Sequence, residues 1–180
     1  MKIILYFFLF LFFIINLQAN AGTIATINIQ KIIDKNMQFS EFLSLLSKKK
    51  NEYENLINEL ETNLVNEKKK LDESKIILNQ KKLEPLIEEY YKNISNFEYK
   101  VDDINLYLSK LFDFNKQIII NEIIEISKSI SIKKNIDVIL DNNNYFIASD
   151  TIDISDIVIQ DLNNKNIEFQ LLNKEDLIDE

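Results

Sequence analysis

Apolar residues in the middle of the chain recur in alternating steps of three and four, the spacing of a coiled-coil seam. The eight positions are Ile87, Tyr90, Ile94, Phe97, Val101, Ile104, Leu108 and Leu111. The same spacing runs from Leu43 to Leu78, although Lys50, Glu67 and Lys75 occupy seam positions there. We therefore predict two long helices, the first of which has an imperfect, partly polar seam.

The pattern breaks from Asn79 to Pro85, and this break predicts a reversal of the chain. Ser40 stands where an N-cap would start the first helix. Pro85 lacks a backbone amide and fits the first turn of the second helix. Because the two arms are nearly equal in length, we predict an antiparallel helical hairpin of roughly 60 Å, from 1.5 Å per residue.

Short segments before the hairpin predict a small body at its base. Residues 23–29 alternate, with Ala25, Ile27 and Ile29 on one face of a predicted strand. Residues 30–35 predict one helical turn. The second long helix becomes rich in isoleucine from Ile118 onward, more than a two-helix seam covers, so another layer must pack there.

The segments after the hairpin predict the rest of that body. Residues 136–141 and 145–149 predict two strands around a tight asparagine turn. A short helix follows, with Asp153 or Ser155 as its cap. Its inward residues are predicted to be Ile157, Val158 and Leu162.

Composition excludes most catalytic chemistry. The 180 residues include one Gly, one Pro and no His, Cys or Trp, and every basic side chain is a lysine. Neither a Ser-His nor a Cys-His pair can form, and the nitrogen and sulfur ligands of zinc are missing. The run Asp141 to Asn144 lacks the Gly and the closing Glu of a calcium loop, which favours a turn. We predict a non-enzymatic protein without metal or cofactor.

The net charge of −8 argues against nucleic acid as a partner. From Ser40 to Ser131 there are 14 lysines and 17 carboxylates, whereas from Ile132 onward there are 4 lysines and 11 carboxylates. The acidity therefore belongs to the base and the tail. Near the predicted tip, the basic candidates for partner contacts are Lys68, Lys69, Lys70, Lys81 and Lys82.

The amino terminus predicts export. Lys2 precedes a continuous apolar run from Ile3 to Ile15, and Ala19 and Ala21 have the spacing of a signal-peptidase site. We predict cleavage after Ala21. A retained membrane anchor is the alternative, but the apolar run is shorter than the ~20 residues of a spanning helix.

This order of elements resembles the Skp/OmpH family of periplasmic chaperones. The resemblance covers the chain from Ile24 to about Asn163. Its most specific part is the hydrophobic strand ending at Asp141, the asparagine turn, the aromatic segment from Tyr145 and the helix start Asp153-Ile154-Ser155.

The resemblance implies a mainly α fold: a long antiparallel hairpin on a small sheet that trimerises into a β-barrel body. We predict a signal peptide (1–21), a discontinuous body (22–39 and 132–163), a hairpin tentacle (40–131) and an acidic tail (164–180) that extends beyond the usual end of the family. The expected trimerisation-strand residues are Ile24, Ile27, Ile29, Ile136, Val138, Leu140, Phe146 and Ile147.

The function implied is that of an ATP-independent periplasmic holdase, a homotrimer that holds unfolded outer-membrane β-barrel proteins between its tentacles. The acidic charge departs from the basic best-known relatives and argues against lipid or lipopolysaccharide contact. A structural coiled-coil envelope protein, acting as spacer or tether, is the alternative. A spacer does not need the small sheet.

Overall fold

The computed structural model of the chain describes residues 22–174 and Leu177. The predicted signal peptide lies outside these residues. The elements in chain order are β1 (Ile24–Ile27), α1 (Ile29–Asp34), α2 (Met37–Ile77), α3 (Gln80–Lys134), β2 (Val138–Asp141) and α4 (Ser155–Asn163). Short 3-10 turns at Asn142–Asn144 and Asp150–Ile152 lie between β2 and α4.

The predicted helical hairpin is confirmed, with α2 and α3 lying antiparallel. Phe39 contacts Phe112 near the base, Tyr53 contacts Tyr107 further along, and Asn93 bonds Glu67 towards the tip. The last contact bears directly on the imperfect seam. The amide of Asn93 donates to the carboxylate of Glu67 at 3.0 Å, so this charged seam position is paired across the arms.

The predicted cap at Ser40 is wrong, because α2 begins one turn earlier. Asn36 is the N-cap, and its side-chain oxygen accepts from the backbone amide of Phe39 at 2.7 Å. Phe39 and Phe42 are buried, whereas Leu43, which was placed in the seam, is exposed. The earlier start of the helix turns these two rings towards the core.

The reversal at the tip is shorter than predicted. Only Leu78 and Asn79 separate the helices, and the Asn79 side chain accepts from the backbone amide of Lys82 at 3.2 Å. Pro85 lies in the second turn of α3 and not in the first. There it deprives the Lys81 carbonyl of its usual amide donor, an omission that water can compensate at this exposed site.

The body contains a two-stranded parallel sheet with Ile24 opposite Val138. The strand predicted at 145–149 is absent from the described residues, and the asparagine run forms a 3-10 turn. One reason is that the free edge of β1 is already engaged, since the amide of Ile154 donates to the carbonyl of Thr26 at 2.9 Å.

The main core lies at the base of the hairpin. It joins β1, α1 and α4 to the isoleucine-rich end of α3, which explains the excess isoleucine seen in the sequence. Its buried members are Ala25, Ile27, Ile32, Ile33, Phe39, Phe42, Ile119, Ile123, Ile126, Ile130, Ile154, Val158, Leu162 and Ile167. Val158 and Leu162 point inward as predicted, but Ile157 is exposed.

Polar side chains fix the entry to α4. Both predicted caps are wrong, because the N-cap position is Ile154 and no side chain caps the helix; Asp153 nevertheless accepts from the backbone amide of Ser155 at 2.7 Å. Ser155 is the first residue of α4 and does not cap it. Its hydroxyl instead accepts from the backbone amide of Asn28 at 2.8 Å, so α4 is tied to the start of α1.

Candidate functional site

Two surfaces of the described chain expose large apolar side chains, and they lie at opposite ends of the molecule. The body surface comprises Ile24, Val138, Phe146 and Ile147. The tip surface comprises Val65, Ile76 and Ile77 together with the neighbouring lysines. Exposed apolar side chains that lie close together are typical of interaction sites.

The eight predicted trimerisation residues fall into three groups. Ile24 and Val138 lie opposite each other across the sheet and are nearly half exposed. Phe146 and Ile147 lie in the loop between the two 3-10 turns and are 102% and 84% exposed. Ile27 is buried in the core. The half-buried members are Ile29, Ile136 and Leu140.

An open cavity of about 440 Å³ lies where α3 meets the sheet. Ile27, Ile29, Ile124, Ile136 and Ile139 are among its apolar lining residues. Three residues predicted for the interface, Ile27, Ile29 and Ile136, are therefore gathered around one concave site, whose lining also includes polar and charged side chains. The site is large enough to accept one or more apolar side chains from another chain.

The five predicted tip lysines are all exposed, but the structure divides them. Lys68 and Lys69 line a shallow depression with Val65 and Ile76 on α2. Lys70 faces a separate cleft between the arms. The remaining two, Lys81 and Lys82, lie in the first turn of α3.

The positive charge near the tip is partly neutralised. The ammonium group of Lys75 lies 2.8 Å from a carboxylate oxygen of Asp72. The hydrogen bond between them lowers the pKa of Asp72 and raises that of Lys75. The tip therefore presents mixed charges around its apolar side chains, which suits a partner with both apolar and polar groups.

Sequence reasoning missed Ile76 and Ile77, which are 87% and 81% exposed. They lie between the seam positions Lys75 and Leu78, and so are off the seam. Their position outside the seam was the sequence signal that could have identified them. Two adjacent branched apolar residues outside the seam, just before a helix break, have no core to enter.

The distal part of the hairpin is loosely packed. Open clefts of about 230 and 270 Å³ lie between the arms. The first cleft is lined by Leu71, Tyr90 and Asn93, and the second by Leu64 and Phe97. Arms that touch through scattered contacts can bend with little loss of buried area.

Within the described residues, no group of acidic side chains could hold a metal ion. A search of the same residues finds no helix with the length and apolar character needed to span a membrane.

The family model described as Outer membrane protein (OmpH-like) matches residues 23–162. A sequence search for curated relatives finds no match. A crystal structure assigned as an OmpH-like outer membrane chaperone from Caulobacter crescentus CB15 has a similar fold. Its TM-score is 0.68 at 15% identity, covering 85% of this chain and 93% of that one.

Proposed function

Because this chain belongs to the Outer membrane protein (OmpH-like) family, we propose that it is an ATP-independent holdase chaperone of the periplasm. It binds unfolded outer-membrane β-barrel proteins in a cavity between the hairpins of a homotrimer. The protein acts without enzymatic chemistry or a cofactor and is exported by its cleaved signal peptide.

The observation that carries the proposal is the exposed apolar surface of a hairpin that extends well beyond its own core. Besides the tip surface, Tyr91 and Tyr99 on the outer half of α3 are 65% and 74% exposed. An unfolded client can bury apolar segments against such side chains through many weak contacts. The five tip lysines add adaptable contacts to client carboxylates and backbone carbonyls.

The trimer is supported by the state of the body. Two paired strands are too few to form a stable sheet alone, and the body surface exposes apolar groups beside the open cavity. Symmetry-related copies can pair these strands and cover these groups together. Three hairpins projecting from one such body would enclose the client cavity.

The test is protection of a client from aggregation. A urea-denatured outer-membrane β-barrel protein is diluted into buffer with the exported chain, Gly22 to Glu180, and without nucleotide. We expect light scattering to stay low at a molar excess of trimer. Unchanged aggregation would favour the structural coiled-coil alternative.

Matched variants locate the protecting surface. The double variant Ile76→Ser and Ile77→Ser removes apolar groups from the tip, and we expect it to need several-fold more protein for the same protection. Met37→Ser is the control, since Met37 is also exposed, at 72%, but lies at the base. Equal protection by both variants would show that the tip surface does not hold the client.

A further inference from the structure

The chain continues beyond the region matched by the family model, and this extra segment, the tail, runs along the hairpin. The ammonium group of Lys165 pairs with Glu122, and that of Lys174 pairs with Asp103, both on α3. Between these anchors α3 rises about 28 Å at 1.5 Å per residue. An extended tail covers about 30 Å between its own two residues at 3.3 Å each. The tail is therefore stretched along α3 in the antiparallel direction.

Side chains from both arms bind the backbone of this tail. The amide of Gln38 on α2 donates to the carbonyl of Lys165 at 3.2 Å and accepts from the amide of Ile167 at 3.0 Å. On α3, the side chain of Asn115 accepts from the backbone amide of Gln170 at 2.7 Å and donates to its carbonyl at 2.9 Å. None of these four bonds depends on the identity of a tail side chain.

Tyr107 extends the same pattern. Its hydroxyl donates to the carbonyl of Leu172 at 2.8 Å. Its ring packs against Tyr53, and the ammonium group of Lys49 lies 5.5 Å from the ring centre. The hydrogen bond with Tyr107 raises the pKa of Lys49. The hydroxyl is thus held in place at the far end of a groove formed by Gln38, Phe39, Phe42, Tyr107 and Asn115.

Asn115 shows that the groove is built for a main chain. It is completely buried. An apolar residue at this position would need no hydrogen-bond partner. A buried amide is costly unless its groups are bonded. Asn115 is satisfied by the Leu111 carbonyl on its own helix and by two atoms of Gln170 on the tail.

From Ile167 to Gln170, the side chains of the tail alternate between facing the core and facing solvent. Ile167 is buried in the core, and the ring of Phe169 lies 5.2 Å from that of Phe39 and 5.7 Å from that of Phe42. Glu168 and Gln170 between and after them are exposed. The groove therefore accepts an extended segment with apolar residues at two alternate positions; the alternation ends beyond them, because Leu171 is exposed and Leu172 is half-buried.

A transmembrane β-barrel strand, which alternates apolar and polar residues, contains many such pairs of alternate apolar positions. We propose that the groove formed by Gln38, Phe39, Phe42, Tyr107 and Asn115 is a binding site for extended client segments of this pattern, and that the tail is its displaceable resident. The inference rests on the proposed chaperone function and gives it a defined peptide site.

The tail can compete with a client segment for the groove because it is part of the same chain. A covalent tether supplies an effective concentration of about millimolar for a short linker, so a weakly binding client strand does not remove the tail. A client that also engages the tip surface can do so. The ion pairs at the two ends are partly exposed and therefore contribute little to holding the tail.

The experiment measures binding of a fluorescein-labelled peptide with the sequence of residues 164–174 by fluorescence anisotropy. The exported chain carrying Ile167→Ser and Phe169→Ser, which release its own tail, is expected to bind the peptide saturably. The unaltered chain should bind at least tenfold more weakly. A peptide with Val and Tyr in place of Ile167 and Phe169 should bind within a few-fold, and one with Ser at both of these positions should not bind.

A groove variant supplies the matched control. Added to the released-tail chain, Asn115→Leu should abolish peptide binding, whereas Asn121→Leu, at an exposed asparagine of the same helix, should not. Failure of the released-tail chain to bind, or binding that ignores Asn115→Leu, would overturn the proposal. Circular dichroism of each variant confirms that its helices are intact.

Hydrogen exchange tests the unaltered chain as well. Saturating peptide should increase exchange at the amides of Ile167 and Gln170 while leaving that of Ile154 in the body unchanged. Continued protection of both tail amides would show a permanent structural strap. Because client protection is measured separately, a protein that passes that assay but shows no peptide binding would refute the groove alone.

Discussion

At the scale of single residues, buried polar groups hold the base together, and Ser155 is the clearest case. It is completely buried; its hydroxyl accepts from the Asn28 amide at 2.8 Å and donates to the carboxylate of Asp153 at 2.5 Å. A buried donor left unsatisfied costs about 1–3 kcal/mol. We expect Ser155→Ala to lower the free energy of unfolding by that amount, measured as a lower urea midpoint at unchanged slope.

Ser149→Ala is the matched control for this substitution. Ser149 is exposed, and its hydroxyl contacts only the nearby Thr151 among the bonds identified for it. Its removal should change stability by no more than about 0.5 kcal/mol. Similar urea midpoints for the two variants would contradict the role given to Ser155.

Residue-scale detail was also where sequence reasoning failed most often, as the start of α2 shows. Ser40 and Asn36 are both good capping residues, and the local pattern does not choose between them. The choice depends on a distant contact, because the Asn36 amide also donates to the side chain of Asn163 at 3.2 Å. No local periodicity reveals a partner so far along the chain.

At the scale of elements, the turn from α3 into β2 depends on one left-handed residue. Asn135 has φ 52° and ψ 49°, and its backbone amide donates to the Ser131 carbonyl. Most L-residues pay about 1–2 kcal/mol in this conformation. We expect Asn135→Gly to maintain or raise the thermal midpoint, and Asn135→Val to lower it by an amount corresponding to about 1–2 kcal/mol.

The neighbouring residue gives a control with the opposite sign. Lys134 is exposed and lies in the last turn of α3, where Gly is a poor helix former by up to about 1 kcal/mol. Lys134→Gly should therefore lower the midpoint. If Gly lowered the thermal midpoint equally at positions 134 and 135, the left-handed conformation of Asn135 would not explain why Gly is accepted there.

The ion pair between α1 and α4 predicts a pH effect. Lys31 lies 2.8 Å from Asp156; their hydrogen bond and opposite charges lower the pKa of the carboxyl below 3.8 and raise that of the ammonium group above 10.5. The contribution of Asp156 is thus complete above its unfolded pKa and is lost as pH falls through the lower folded pKa. That of Lys31 is complete below about pH 10 and is lost above it.

The stability gap between the unaltered chain and Asp156→Asn should therefore be constant between about pH 5 and 9 and shrink below about pH 4. Urea unfolding at each pH measures the gap. The control is Asp161→Asn, an exposed carboxylate of the same helix. An equal pH-dependent gap there would indicate general charge effects and not this pair.

Long periodic elements were predictable, whereas the loop at 145–149 was not. The hairpin has many turns of repeated spacing, so single exceptions such as Lys50 do not hide it. The segment around Phe146 has the composition of a strand, but strand formation needs an available edge, and in one subunit the edge of β1 already bonds Ile154. Composition reports propensity without reporting which edges are free.

At the scale of the whole molecule, exposed apolar side chains lie at both ends of the hairpin, and the two ends suit different kinds of contact. The base offers a concave apolar cavity beside a short sheet, which suits association with copies of the same fold. The tip offers isolated branched side chains on a loosely packed hairpin, which suits varied partners. The tail begins at the core and ends partway along the arms, where Lys174 pairs with Asp103.

This division predicts that equally exposed isoleucines differ in their effect on assembly. Ile147 and Ile76 are 84% and 87% exposed, so placing a charge at either should not disturb the fold of a subunit. If the body surface forms the trimer, Ile147→Asp buries an unpaired carboxylate at the interface, an arrangement that is strongly unfavourable. Light scattering of the exported chain should then give three times the monomer mass for the unaltered protein and for Ile76→Asp, but a lower mass for Ile147→Asp. A monomeric or dimeric unaltered chain would refute the barrel-centred trimer, and a trimeric Ile147→Asp would place its interface elsewhere on the body.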